Sequence, residues 1–169
     1  LTSQKEIGGD TLAAGAVALV SADDFCSNDS LKREVFGPFT LLVTCENEKE
    51  LLKTLRALEG QLTASLLGDE EELYAASVHL SLLGERAGRI LINGVPTGVE
   101  VCPSMHHGGP YPATTDSRFT SVGTDAVKRW VRPVAYQNLP QGLLPPALRD
   151  GNPLGIWRTV NGAWTSEAI

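Results

Sequence analysis

The sequence predicts an α/β fold, a three-layer domain built on a parallel sheet and followed by a C-terminal β arm. Short apolar segments alternate with segments in which leucines recur at three- and four-residue steps. Strands and helices that alternate in this way form right-handed crossovers between parallel strands. The alternation stops at residue 94, a short helix is expected before residue 130, and prolines are frequent beyond it. We therefore expect one domain over residues 1–130 and an arm over residues 131–169.

The first elements follow a polar, glycine-containing lead over residues 1–12. Residues 15–21 alternate small and β-branched side chains, which predicts a strand. Residues 23–32 are polar and turn-rich, and Asn28, Asp29 and Ser30 are candidate caps for a short helix within them. The next segment, Phe39–Thr44, is apolar without alternation, which is typical of a parallel strand that is buried on both faces.

A capping-box pair begins each of two predicted helices, and a glycine is expected to end each one. The pairs are Asn47 with Glu50 and Asp69 with Glu72, and the glycines are Gly60 and Gly88. Apolar residues 62–67 and 89–93 follow the helices and are predicted strands. Together with Phe39–Thr44 they make a βαβαβ succession, which predicts one parallel sheet.

The second half of the chain contains fewer regular elements. Residues 94–117 are rich in glycine, proline and polar side chains, a composition and length typical of a functional or disordered loop. Thr124 is expected to begin a short helix. Residues 131–137 have the character of a strand. The proline among them fits an edge strand better than a central one. The Asn161-Gly162 pair predicts the turn of a β-hairpin.

Composition excludes several functional classes. The net charge of -6 and the hydrophobic fraction of 42% argue against a nucleic-acid-binding surface and against disorder. No apolar run or signal peptide indicates membrane association or export, so a cytoplasmic location is expected. The three cysteines (Cys26, Cys45 and Cys102) lack the spacing of a disulfide framework or a zinc site. Because the chain begins with Leu1 and its only methionine is Met105, we expect a fragment of a longer protein.

A short motif precedes the strand Phe39–Thr44. Residues 33–38 read R-E-V-F-G-P and place a carboxylate, an aromatic ring and a Gly-Pro pair side by side. This motif resembles the cofactor-contacting motif of aldehyde dehydrogenases. The resemblance implies that Glu34 hydrogen-bonds the nicotinamide ribose of NADP or NAD and that Phe36 packs near the nicotinamide. Without it, Glu34 would be interpreted as a surface residue and Phe36 as a core aromatic.

A second resemblance concerns the substrate side. Residues 88–94 are similar to a glycine-started strand of the family, and residues 105–109 resemble its glycine-containing loop along the aldehyde tunnel. Many relatives have an aromatic residue where His107 stands, so a more polar substrate is implied. His106 and His107 are candidate substrate-binding residues, or alternatively loop histidines bonded to backbone. Two adjacent histidines without a third ligand do not predict a metal site.

Arg118 is the third candidate for substrate binding. Its guanidinium would suit an anionic aldehyde, with an internal ion pair to Asp116 as the alternative use. Residues 95–120, together with two stretches of the tail, residues 132–138 and 152–158, resemble one branch of the family. That branch acts on 2-ketoglutarate semialdehyde, a small acidic aldehyde, and the resemblance extends from about residue 15 to the end.

The resemblance also shows which catalytic groups are not matched. Family members use a cysteine nucleophile, an asparagine that stabilises the oxyanion, and a glutamate that assists hydrolysis. These lie upstream of the E-V-F-G-P motif, and only 33 residues precede Glu34. No G-x-G-x-x-G turn is present either. We therefore predict no catalytic residue in the chain and no activity of the chain alone.

Two interpretations of the whole chain follow. In the first, the chain is the C-terminal part of an aldehyde dehydrogenase catalytic domain, and residues 131–137 join another subunit to form a homo-oligomer. In the second, the chain is a non-catalytic α/β module that kept this fold and oligomerises through its tail. Neither interpretation includes a nucleic acid or a membrane as a partner.

Overall fold

Regular elements alternate along the first unit of the protein in a computed structural model, which describes residues 13–169. The predicted polar lead, residues 1–12, lies outside the described residues. Two compact units are present, Leu1–Trp130 and Val131–Ile169. In chain order, the elements of the first unit are β1 (Ala16–Ser21), α1 (Ala22–Ser27), β2 (Phe39–Thr44), α2 (Glu48–Ala57), β3 (Gln61–Leu66), α3 (Glu70–Ala75), α4 (Ser77–Arg86) and β4 (Ala87–Ile92).

The strands of the first unit pair in parallel, as the α/β prediction requires. Strand β1 pairs with β2, and β3 pairs with β4. Across residues 13–169, however, the two pairs form separate two-stranded sheets, so the prediction of one continuous sheet is wrong for this chain. Helix α2 contacts α1 and α4 and carries the chain from one pair to the next. The steps from β1 to β2 and from β3 to β4 therefore each form a parallel pair, whereas β2 and β3, which α2 joins, do not pair.

The β1–β2 sheet is covered on one face only. Along both strands, half-buried residues alternate with exposed ones. Four of the exposed residues form what we call the open face (Val17, Leu19, Thr40 and Leu42). Leu19 and Leu42 lie directly opposite each other and expose 58% and 50% of their surfaces. The sequence predicted that Phe39–Thr44 is buried on both faces. This prediction is wrong for this chain, because the rest of the described chain covers only the half-buried face of the strand.

Side-chain caps fix the helix starts. The Asn47 side chain accepts the N–H of Glu50 at 3.0 Å, which confirms the predicted start of α2. Asp69 and Glu72 form the full reciprocal capping box before α3. Helix α1 was not predicted, because its sequence is short and polar. Its cap is the hydroxyl of Ser21, which accepts the N–H of Asp24 at 3.1 Å.

The second predicted helix differs from expectation at two places. It is divided at Ala76, whose ψ of 20° departs from helical geometry and separates α3 from α4. It also ends at Arg86, and the chain enters β4 at once. Gly88 therefore lies within a strand and does not end a helix.

The second unit consists mainly of turns and one hairpin. Short 3₁₀ turns at Gln141–Leu143 and Pro146–Leu148 precede strands β5 (Arg158–Val160) and β6 (Ala163–Thr165). The predicted hairpin is confirmed, with β5 and β6 antiparallel. Asn161 and Gly162 adopt φ angles of 49° and 85°, as a type I′ turn requires.

The edge strand predicted over residues 131–137 was assigned to pairing with another subunit, so it stays a prediction for this single chain. A strand is defined by ladder hydrogen bonds, and no strand in the described part of the chain pairs with this segment. All seven of its residues are exposed. Over residues 13–169, no helix has the length and apolar character that a membrane span requires.

Candidate functional site

Glu34 lies in a cleft of the first unit. The segment before it is a 3₁₀ turn, Asp29–Lys32, and the extended backbone of Arg33 then leads the chain towards β2. The cleft, which we call the Glu34 cleft, has a volume of about 520 Å³, within the range of small-molecule sites. It is lined by Lys32, Arg33, Glu34, Glu59, Gly60, Gln61, Leu62, Thr63, Pro112 and Ala113.

The Glu34 carboxylate is available to a ligand. The side chain is exposed, and no residue among 13–169 bonds to its oxygens. Its neighbour Lys32 is engaged elsewhere, because its ammonium donates to Asp29 at 2.6 Å and to the Cys26 carbonyl at 3.3 Å. A carboxylate without an internal partner can accept two hydroxyl donors, which is what vicinal ribose hydroxyls provide.

Phe36 lies in a different environment. It exposes 98% of its surface and does not line the Glu34 cleft. The interpretation of Phe36 as an ordinary core aromatic is therefore excluded for this chain. A ring with this exposure has no packing partner among the described residues, so its role as a contact of the nicotinamide stays a prediction.

Four glycines bring the loop of residues 105–110 into backbone contact with the strands. A Cβ on Gly60 would overlap the carbonyl of Pro110, and a Cβ on Gly88 would overlap the carbonyl of Gly108. Likewise, a Cβ on Gly109 would overlap the carbonyl of Gln61. We call these contacts the glycine seam (Gly60, Gly88, Gly108 and Gly109). Because only glycine permits this approach, the seam fixes the loop against the first residues of β3 and β4.

Two of the predicted substrate residues meet in a second cavity. This His106 cavity has a volume of about 200 Å³ and is lined by Pro103, Ser104, Met105, His106, Arg118, Phe119, Thr120, Asp125 and Lys128. His106 and Arg118 belong to it, whereas His107 does not. Lys128 adds a second cation that sequence reasoning missed. Its location in the 3₁₀ segment Thr124–Trp130 gave no signal, since a lysine in a short polar helix is commonly solvated.

The guanidinium of Arg118 forms the internal ion pair with Asp116. Its Nε donates to Oδ1 at 2.9 Å and its Nη2 to Oδ2 at 2.6 Å. This bidentate pair lowers the pKa of Asp116 from 3.8 to about 2. The guanidinium also lies 5.5 Å from the centre of the Phe119 ring. Nη1 makes no hydrogen bond to residues 13–169, so one edge of the guanidinium stays available to an anion.

His107 is held by its backbone. Its N–H donates to the hydroxyl of Thr120 at 2.9 Å, and its carbonyl accepts the N–H of Ser121 at 2.9 Å. The hydroxyl of Ser121 donates to the same carbonyl at 3.0 Å. These bonds hold only the main chain of His107, so both predicted uses of its side chain stay predictions. Its imidazole takes part in none of these bonds.

Among the described residues, neither the cysteines nor other potential metal ligands form a further candidate site. Cys26, Cys45 and Cys102 are unpaired thiols that line neither cavity. A hydrogen bond with Ser104 lowers the pKa of the Cys102 thiol. No three metal-ligating side chains cluster within residues 13–169. The chain therefore offers a carboxylate-bearing cleft and a cation-lined cavity.

Comparison with known proteins defines the class. The alpha-ketoglutaric semialdehyde dehydrogenase of Acinetobacter baylyi (strain ATCC 33305 / BD413 / ADP1) is 55% identical over 140 residues, which is 83% of this chain and 27% of that protein. The alpha-ketoglutaric semialdehyde dehydrogenase 2 of Azospirillum brasilense is 46% identical over 168 residues, 96% of this chain and 32% of that protein. No protein-family model matches the chain.

These identities confirm the resemblance to aldehyde dehydrogenases: the chain corresponds to a segment of such an enzyme. The particular relatives it matches are alpha-ketoglutaric semialdehyde dehydrogenases, and the chain spans about a third or less of their length.

Proposed function

We propose that the chain is part of an NAD(P)-dependent aldehyde dehydrogenase that oxidises 2,5-dioxopentanoate, a small acidic aldehyde, to 2-oxoglutarate. The observation that carries the proposal is the 55% identity to a relative named for this substrate, which is alpha-ketoglutaric semialdehyde. The resemblance of the chain to this branch of aldehyde dehydrogenases makes NADP the expected cofactor, with NAD as the alternative. The activity belongs to the complete protein, because the chain spans only 27% and 32% of these relatives.

The proposed role of Glu34 is to orient the cofactor. Its exposed carboxylate accepts the two nicotinamide ribose hydroxyls in the Glu34 cleft. The bound cofactor supplies hydride acceptance, and Phe36 packs near its nicotinamide. Support comes from the exposure of both side chains and from the lack of an internal bond to the Glu34 oxygens among residues 13–169.

The proposed substrate site is the His106 cavity with the adjoining His107. The free edge of Arg118 and the ammonium of Lys128 provide positive charge for the substrate carboxylate, while His106 provides a polar wall. Lys128 also pairs with Asp125 at 2.9 Å, which tempers its charge. The cysteine nucleophile, the hydrolytic glutamate and the nucleotide-binding half are assigned to the rest of the parent protein, so this chain alone is inactive.

We also propose that residues 131–137 pair with the sheet of another subunit and make the enzyme a homo-oligomer. The support is an exposed segment that has no ladder partner in the described part of the chain. Unpaired backbone groups of this kind are satisfied by strand addition.

The test compares substrates in the full-length protein encoded by the reading frame that contains this chain. We expect kcat/KM for 2,5-dioxopentanoate to exceed that for pentanal, because only the former carries a carboxylate. Equal values would remove the acidic-substrate assignment. An inactive full-length protein would favour the non-catalytic module.

The Glu34 assignment has its own variant. Glu34→Gln weakens charge-assisted hydrogen bonds to the ribose, so kcat/KM for the cofactor should fall about ten- to a hundredfold. Glu59→Gln is the matched control, since Glu59 lines the same cleft and is not assigned to the ribose. Equal effects of the two substitutions on cofactor kinetics would refute the assignment.

A further inference from the structure

We infer that Thr120 is a positioning residue for the substrate side of the site. Its hydroxyl holds the backbone of His107 and thereby fixes the loop of residues 105–109 at the His106 cavity. The inference rests on the proposed function, because the location of this loop affects turnover only if the cavity receives the aldehyde. Nothing in the sequence singled out Thr120, which lies in the polar stretch after Arg118.

Burial makes the Thr120 hydroxyl an effective anchor. Thr120 exposes only 7% of its surface, although it is polar and lies in a loop. Its Oγ1 accepts the N–H of His107 at 2.9 Å and the N–H of Val122 at 3.3 Å. One oxygen thus joins two chain segments that are 13 residues apart. Backbone donors buried in this way need a partner, so the hydroxyl cannot be removed without a structural response.

A second pair of hydrogen bonds holds the carbonyl side of His107. The carbonyl of His107 accepts the N–H and the hydroxyl of Ser121 at 2.9 and 3.0 Å. Both peptide groups that flank the His107 Cα are therefore tied to consecutive residues, Thr120 and Ser121. This arrangement fixes the direction in which the His107 imidazole leaves the backbone.

The glycine seam restrains the same loop on its other side. A Cβ on Gly108 would lie 3.0 Å from the carbonyl oxygen of Phe119 and 2.8 Å from Nε2 of His106. Gly88 and Gln61 contact Gly108 and Gly109 from the strands. The loop is thus enclosed between β3 and β4 on one side and residues 119–121 on the other.

This geometry predicts different effects for two substitutions at Thr120. Thr120→Val keeps the shape of the side chain but removes the acceptor, which leaves the His107 N–H without its partner. Thr120→Ser keeps the acceptor and removes only a methyl group. If Thr120 positions the loop, Thr120→Ser should retain the wild-type aldehyde kinetics that Thr120→Val loses. A role in packing alone predicts the reverse, since serine loses the methyl contact.

The kinetic test uses the full-length protein. We expect Thr120→Val to raise KM for 2,5-dioxopentanoate about tenfold and to change KM for the cofactor less than about twofold. Thr120→Ser should remain close to wild type. The matched control is Thr165→Val, which also removes a hydroxyl that accepts a backbone N–H, at 3.0 Å from Glu167 in the second unit. Wild-type aldehyde KM in Thr120→Val would overturn the inference.

A readout independent of catalysis separates the two proposals. Amide hydrogen exchange at His107 should be faster in Thr120→Val than in wild type and unchanged in Thr120→Ser and Thr165→Val. If the wild-type full-length protein proves inactive, the proposed function fails and the exchange result alone decides the positioning. Unchanged exchange at His107 in Thr120→Val would overturn the positioning whether or not the enzyme is active.

Discussion

Among the described residues, the pKa of Asp116 is the one most changed by a neighbouring side chain, that of Arg118. The Arg118 guanidinium donates two hydrogen bonds to the Asp116 carboxylate, whose pKa falls from 3.8 to about 2. A carboxyl whose pKa is lower in the folded state stabilises that state above its ordinary pKa. This contribution is complete above about pH 5 and is lost as the pH falls towards 2. The loop at the His106 cavity should therefore loosen in acid.

We predict that Arg118→Gln returns the pKa of Asp116 towards 3.8, because both charge-assisted bonds disappear. A pH titration of the Asp116 carboxyl carbon by NMR measures this shift. Lys128→Gln is the control, since it removes another cation of the same cavity without touching Asp116. If the pKa of Asp116 stays near 2 in Arg118→Gln, the guanidinium is not the cause of the lowered value.

At the scale of elements, the glycine seam determines how the loop of residues 105–110 contacts β3 and β4. The closest contacts at Gly60, Gly88 and Gly109 are with backbone carbonyl oxygens, which cannot move aside as a flexible side chain can. The seam therefore sets the spacing between a strand and a loop that are distant in sequence. It also explains why Gly88 lies where the sequence suggested the end of a helix.

We predict that Gly88→Ala destabilises the protein by about 3 kcal/mol, at the upper end of what overpacking costs, because its Cβ would overlap the Gly108 carbonyl. Urea-induced unfolding measures the loss. Gly84→Ala is the matched control in α4, where an added Cβ meets no atom within 4 Å. There the higher helix propensity of alanine should stabilise by about 0.5–1 kcal/mol. Similar losses in both variants would contradict the steric argument.

Local patterns predicted most elements, while contacts between distant residues were not predictable. Asn47 and Asp69 correctly predicted the starts of α2 and α3, because a side-chain cap involves only residues that are close in sequence. The Asn161-Gly162 turn was predictable for the same reason. The separation of β2 from β3 depends on non-local pairing, which local hydrophobicity does not encode.

The same distinction applies to the candidate site. Glu34 was found through a contiguous motif, and the structure locates it in a cleft. Thr120 and Lys128 were missed because their relation to His106 arises only when two loops meet. Arg118 lies between these cases. Its pairing with Asp116 is local and was foreseen as an alternative, whereas its place beside Lys128 was not.

At the scale of the whole molecule, many large apolar residues remain exposed. Trp130, Trp157 and Trp164 expose 85%, 67% and 72% of their surfaces. The open face of the β1–β2 sheet is apolar as well. Patches of this kind commonly mark surfaces that contact other protein. They are consistent with a chain that spans about a third or less of its relatives.

We predict that Val134→Pro weakens assembly of the full-length protein, because proline removes a backbone N–H from the proposed pairing strand, residues 131–137. Sedimentation velocity should show a shift towards smaller species. Val134→Ala retains the N–H and serves as the control. If Val134→Pro assembles as the wild type does, residues 131–137 do not supply the intersubunit strand.

The two-stranded sheets of the first unit carry a further consequence. Within residues 13–169, each strand has a hydrogen-bonded neighbour on one side only, so every parallel strand has one unpaired edge. Unpaired edges beside an apolar face act as templates for further strands. Whenever β1 to β4 fold before their remaining neighbours, during synthesis or after proteolysis, they should aggregate by edge-to-edge addition. We therefore expect the solubility of this segment to increase when other protein covers these strand edges.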